Sequence, residues 1–125
     1  MSHSQVLLDP LDCLVAGPSI ESVRVGLAVP TSGVLGLTGP AAVASSVLAA
    51  EEINAAGGLH GRRMELVPVD AGADPDDVAR VVDGLVAAGA IDALCGFHTS
   101  DVHRRLEVVT TGRIPYLFTP PHEGG

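Results

Sequence analysis

Tryptophan is absent, and one tyrosine with two phenylalanines supplies every aromatic ring in 125 residues. A core so poor in rings must be assembled from Ala, Val and other small or branched side chains, which suits closely packed helix and sheet layers. Basic residues are also scarce. Seven stand against fifteen acids, for a net charge of −8, and without clustered Lys and Arg a nucleic-acid surface is excluded. Cysteine occurs only at Cys13 and Cys95, too few for a disulfide framework and without metal-ligand spacing. Cys95, inside an apolar run, reads as a small hydrophobe. No apolar run is long enough to cross a bilayer, so membrane insertion is not expected.

No leader is expected either. "MSHSQVLLDPLDCLVAGPSI" carries no Lys or Arg, and Asp9, Pro10 and Asp12 interrupt its apolar stretches. A secretory signal needs a basic start and an unbroken apolar stretch of roughly 7–15 residues. The sequence as written therefore predicts a cytoplasmic product. Asp12 before Cys13 also argues against a lipoprotein site.

Catalytic signatures are likewise lacking. "GVLGLTG" has neither the Lys-Ser/Thr ending of a phosphate loop nor dinucleotide glycine spacing, so its glycines read as turn and close-approach positions. "FHTSD" lacks the glycines of a nucleophile elbow. Glu51 and Glu52 on one helix, and Asp76, Asp77 and Asp83 on another, read as solvated faces rather than a converging carboxylate pair. His98, Asp101 and His103 are dense enough to suggest a metal. On a helix beginning near Ser100, however, His103 is expected to point away from His98, so no metal and no cofactor are expected. His60, His122 and His3 read as solvated loop or tail residues.

What is present is a regular alternation. Residues 1–21 read as a flexible tail, with Pro10, Gly17 and Pro18 blocking regular structure. "VRVGLAV" (23–29) reads as a buried strand. After the Gly-rich loop, Pro40 starts an Ala-rich helix to Ala56 with Val43, Val47 and Ala50 on one stripe, closed by Gly57 and Gly58. "MELVPVD" (64–70) is a second strand, placed at a sheet edge because Pro68 removes a ladder donor. Asp74 caps a helix whose stripe is Val78, Val81, Val82, Leu85 and Val86. "IDALCG" (91–96) is a third strand. A third helix follows, capped by Thr99 or Ser100, with Val102, Leu106 and Val109 inward. "IPYLFT" (114–119) is a fourth strand.

The order β-α-β-α-β-α-β predicts an α/β fold, an open parallel sheet of about four strands with helices on both faces. Leu117 and Phe118 would lie on an exposed edge, which natural domains avoid. The chain is therefore expected to be the first part of a larger protein, or to form a homodimer through that edge. Ligands of open α/β sheets bind beyond the carboxyl ends of the strands. Four segments arrive there: "PTSG" (30–33), "DAGAD" (70–74), "GFHTS" (96–100) and "TPPHEG" (119–124). All three rings, Phe97, Tyr116 and Phe118, fall at or beside the third and fourth strand ends, where a small-molecule cleft would find its apolar walls. Ser100 offers a hydroxyl and a helix-start amide to a carboxylate or amide oxygen. Its capping role and a ligand role are compatible.

"VRVGLAVPTSG", the "GP" helix start and above all "AAEEINAAGGLHGR" running into "ELVPVD" resemble the opening of type 1 periplasmic-binding-fold proteins. The resemblance covers residues 22–125 and implies part of the N-terminal lobe of a two-lobed solute-binding domain. Such proteins bind branched-chain amino acids, amides or urea for ABC-type uptake, and some are cytosolic amide sensors that regulate amidase expression. "GFHTSDVHRRLEVV" with "IPYLFTPPHEGG" is most similar to the amide and urea branch. By that resemblance Phe97, His98, Thr99 and Ser100 line the ligand pocket, with Ser100 as hydrogen-bond partner. Phe118, Thr119, Pro120 and Pro121 form the opposite side. His122 stands where the amide-type pattern often has Tyr, which leaves the ligand open. The implied partners are a small-molecule ligand and an ABC permease or a regulatory protein. A Rossmann-like enzyme fragment is the remaining alternative.

Overall fold

The computed structural model describes residues 6–33 and 36–119. Eight elements follow in order: α1 (Pro10–Ala16), β1 (Ser22–Val29), α2 (Gly39–Ala55), β2 (Arg63–Asp70), α3 (Pro75–Ala87), β3 (Ala93–Gly96), α4 (Ser100–Thr110) and β4 (Tyr116–Phe118). The strands form one parallel sheet in the order β2-β1-β3-β4. The expected fold class is therefore the observed one.

Strand alternation sorts the core into two layers. Leu27 and Val29 of β1 pack with Ala50, Met64 and Leu66 on the α2 face. Ala28 packs with Val67, Val78, Val82, Leu85, Leu94, Val102 and Leu106 on the face that carries α1, α3 and α4. The chain thus leaves β1 outward along one face to β2, then returns across the other face to β3 and β4. The loops after β1 and β3 part in opposite directions at the carboxyl ends of adjacent strands, which is the geometry that opens a ligand crevice.

Residues 6–21 depart from the flexible tail expected of them. Asp9 Oδ1 accepts the Leu11 amide at 2.8 Å, Pro10 fills the first turn, and Gly17 (φ 71°) closes α1 with its amide on Cys13 O. The Pro and Gly read as breakers are here the start and stop of a helix, positions where each is favoured. Cys13 anchors that helix in the core. Ahead of it, Leu8 N donates to Leu66 O (2.8 Å) and Leu66 N donates to Val6 O (2.7 Å) along the outside of β2. Residues two apart turn their N–H groups to the same side of a strand. At 66 that side meets Val6; at Pro68 there is no N–H to leave unpaired, which fits its edge position.

Smaller differences follow the same logic. Val81, expected inward, is 42% exposed, because Val78, Val82 and Leu85 already fill the buried stripe of α3. β3 and β4 are shorter than expected: Ile91, Asp92, Ile114, Pro115 and Thr119 lie outside their ladders. On β4, Leu117 is 71% exposed, as expected of an open edge. Phe118 is instead half-buried, covered by two imidazole rings. No helix among the described residues is long and apolar enough to cross a membrane.

Candidate functional site

The carboxyl end of the sheet is built from two interlocked flanks. On the β2 side, Asp70 ends its strand and gathers the loop after β1. Its Oδ1 accepts the amides of Thr31 and Gly72, each at 2.9 Å, and its Oδ2 accepts Ser32 Oγ at 2.6 Å. Partial burial works against the charged form, but the Ser32, Thr31 and Gly72 donors outweigh it and hold Asp70 below the ordinary carboxylate pKa. The loops touch backbone to backbone: a Cβ on Gly72 would lie 1.8 Å from Ser32 O, and one on Gly39 would lie 1.7 Å from Pro30 O. Close approach is thus the role of both glycines, as was expected of Gly39 within "GVLGLTG".

The β4 side is held by a ring cluster. His98, in the loop after β3, is fully buried. Its ring occupies the space that Gly96 leaves free, since a Cβ there would lie 2.7 Å from both the imidazole and Ala28 O. His98 Nδ1 lies 3.3 Å from Thr99 O, and its Nε2 lies 3.0 Å from Tyr116 Oη, which in turn lies 3.0 Å from His103 Nδ1. Thr99 O can only accept, so His98 Nδ1 carries the proton. With His98 neutral, its Nε2 accepts from the phenol, and Tyr116 Oη accepts from His103 Nδ1–H. A one-way chain results, from His103 through Tyr116 and His98 to the Thr99 carbonyl. Phe118 stacks on both imidazoles, with centroids 4.8 Å and 3.9 Å away.

The expectation that His103 points away from His98 is therefore corrected: the two rings lie 6.3 Å apart, bridged by one phenol. One helical turn brings position 103 back over the loop, and Tyr116 reaches across from β4 to meet it. Burial pushes His98 below the usual histidine pKa, with the His103 charge adding to that, and burial likewise pushes the Tyr116 phenol up. No group of three or more His, Cys, Asp or Glu side chains among the described residues is arranged to hold a metal ion.

The remaining residues named from sequence sit around this cluster. Phe97 is half-buried against the α2-face core, with its amide on Ala28 O at 3.1 Å. Thr119 follows β4, its amide on Gly96 O at 2.8 Å, so the ends of β3 and β4 are tied together. Thr99 holds the N-cap position of α4 but makes no side-chain cap bond, contrary to the hydroxyl cap expected. Its extended backbone (φ −73°, ψ 165°) places the carbonyl to accept His103 N, and Ser100 becomes the exposed first residue of the helix. By contrast α3 is sealed by Asp74, which accepts Asp76 N at 2.9 Å. Pro120, Pro121 and His122 lie outside the described residues.

Residues 22–125 match the family model described as periplasmic binding protein. The chain belongs to this family. Among solved structures, this periplasmic binding protein chain is similar to the branched-chain amino acid transporter substrate binding protein LivJ of Streptococcus pneumoniae, solved in complex with isoleucine. The identity is 28% and the TM-score 0.71, over 82% of this chain and 30% of that one. It is also similar to a fatty acid ABC transporter substrate-binding protein of Thermomonospora curvata, at 28% identity and TM-score 0.60, over 79% and 26% of the two chains. A putative branched-chain amino acid ABC transporter of Rhodospirillum rubrum, at 24% identity and TM-score 0.71, shares the fold over 82% and 30%. The chain thus spans about 30% of the length of such relatives. Comparison with curated protein sequences gives no match.

Sequence reasoning missed Asp70, Tyr116 and His103 as organisers of this periplasmic binding protein's loops. Tyr116 carried a usable signal. It is the chain's one phenol, in a strand that ends beside two histidines, and a buried hydroxyl needs a partner.

Proposed function

We propose that this chain forms one wall of a binding cleft for a small polar solute in an ABC-type uptake system. The observation that carries the reading is the carboxyl end of β3: α4 begins there without a side-chain cap. Its first amides point beyond the strand ends, where a carboxylate or amide oxygen is favoured. Ser100 supplies the hydroxyl, and Phe97, Phe118 and Thr119 flank it. Both ring nitrogens of His98 are engaged, so its role is to fix Thr99 and Ser100 rather than to touch the solute. Support for the solute class comes from LivJ of S. pneumoniae, bound to isoleucine. The similarity of "GFHTSDVHRRLEVV" to the amide and urea branch supports the finer reading of an amide or urea as the solute, and with it a cytosolic sensing role.

A site closed from one side only binds weakly, because affinity in such clefts comes from burial of most of the ligand surface. Amide spectra of the 125-residue chain titrated with isoleucine, acetamide and urea test this. Saturable shifts in the millimolar range at Ser100, Asp101 and Thr119 are expected, and the solute that shifts them at lowest concentration identifies the class. Micromolar affinity would overturn the half-site reading. Shifts confined to other residues would overturn the site.

A further inference from the structure

We propose a second binding site, for a small oxyanion (a carboxylate or phosphate), at the opposite end of the sheet, read by Arg63. The register pairs Ser22 with Arg63 and Arg24 with Glu65, and residues two apart share a face. All four therefore stand together at the amino ends of β1 and β2, beneath the 18–21 segment. They line a cavity of about 520 Å³ with Ser19 and Glu21 as its other polar walls.

The charges in it are unevenly matched. Arg24 is satisfied: its Nη1 donates to Gly17 O at 2.8 Å and its Nε reaches Glu65 Oε1 at 3.4 Å. Arg63 Nε lies 3.8 Å from Glu65 Oε2, beyond hydrogen-bond reach. Its Nη2 is buried, and is the only such side-chain nitrogen or oxygen among the described residues that no described residue meets. A buried guanidinium N–H without an acceptor is costly, and its planar fork suits a two-oxygen anion. Arg24, Arg62 and Arg63, three of the seven basic residues in a chain of net charge −8, gather at this end. The guanidinium of Arg62 clamps the carbonyls of Ser19, Ile20 and Ser22, which holds the cavity's rim in place. Against them stand Glu65, already shared by two arginines, Glu21, which is exposed, and Asp92, also exposed, whose Oδ2 accepts the Arg24 amide at 2.9 Å.

The test is an acetate titration and a phosphate titration of the chain at fixed ionic strength, with chloride as control, following the arginine Nε–H resonances. Saturable shifts at Arg63 and Arg24 are expected, with a millimolar midpoint, for at least one of the two anions; which one responds decides between a carboxylate and a phosphate source. Arg63→Gln should weaken binding about tenfold or more, the size of one charge-assisted hydrogen bond. Arg63→Lys keeps the charge but loses the fork, so it should weaken binding too, and it serves if the Gln variant does not fold. A response no different from chloride would overturn the proposal, since water then suffices for Nη2. Unchanged affinity in both variants would overturn it as well.

Discussion

On the β2 flank of the sheet's carboxyl end, one carboxylate draws two amides and a hydroxyl onto itself; on the β4 flank, one phenol is held between two imidazoles. Asp70 acts on backbone that is already in contact through Gly72 and Ser32 O, so that flank has little freedom to move. The Tyr116 chain instead joins side chains from three elements, β4, α4 and the loop after β3. One flank is fixed by main-chain packing and a group ionised at any ordinary pH. The other is fixed by a proton arrangement that a single added proton on His98 contradicts.

The largest effect expected from breaking this contrast is on the packed flank. Gly72→Ala drives a Cβ toward backbone Ser32 O, which cannot swing away, and should cost about 3 kcal/mol by urea denaturation. Gly96→Ala meets Ala28 O and the His98 ring at the longer 2.7 Å, and the ring can shift, so a smaller loss is expected. Equal losses would remove the distinction between a main-chain lock and a side-chain lock.

Next in size is removal of each central group. Asp70→Ala leaves the Thr31 and Gly72 amides and the Ser32 hydroxyl without their acceptor and should cost about 2 kcal/mol; Tyr116→Phe, which orphans His98 Nε2, should cost about 1 kcal/mol. Denaturation midpoints of the two variants measure both. A Tyr116→Phe loss at or above that of Asp70→Ala would place the main anchor on the β4 flank instead.

The pH responses separate the flanks further. His98 titrates below its ordinary 6.5 in the fold. The unfolded chain therefore binds its proton first as pH falls, and stability present above 6.5 declines below it. Asp70 is depressed below its ordinary 3.8, so its contribution persists above that value and is lost only as pH falls further. Stability measured against pH should show two acid steps. His98→Gln should abolish the upper step alone and Asp70→Asn should reduce the lower step, to which Asp76, lowered by its bond to Arg105, also contributes. An upper step that survives His98→Gln would assign it to another group.

The fold was legible where periodicity and breakers agreed. Val78, Val82 and Leu85, the Asp74 cap and the edge placement of β2 by Pro68 all follow from local chemistry. The same breakers misled at Pro10 and Gly17, because a proline at a helix start and a glycine just past its end look identical, in sequence, to a disrupted tail. The site was legible as a place, the ends of β3 and β4, but not as an arrangement. Helical spacing alone turned His103 away from His98, and only the partner strand shows that Tyr116 brings them together. Asp70 and Thr31 lie thirty-nine residues apart, a pairing that no local pattern encodes.

The smallest stability effect is expected at the open edge, where Leu117 breaks the β4 flank's own symmetry: one face of β4 is covered by imidazoles and the other is bare. At 71% exposure its replacement by serine should leave stability within about 0.5 kcal/mol. Its effect should fall on association. An unpaired strand beside an exposed apolar side chain invites another strand or chain to add to it. Light scattering at increasing concentration should therefore show dimers of the parent chain that Leu117→Ser weakens, while the Tyr116 chain and the pH steps stay as they are. A parent chain that stays monomeric would show that three residues of β4 are too short an edge to recruit a partner, and that the His98–Phe118–His103 stack suffices to hold the flank closed by itself.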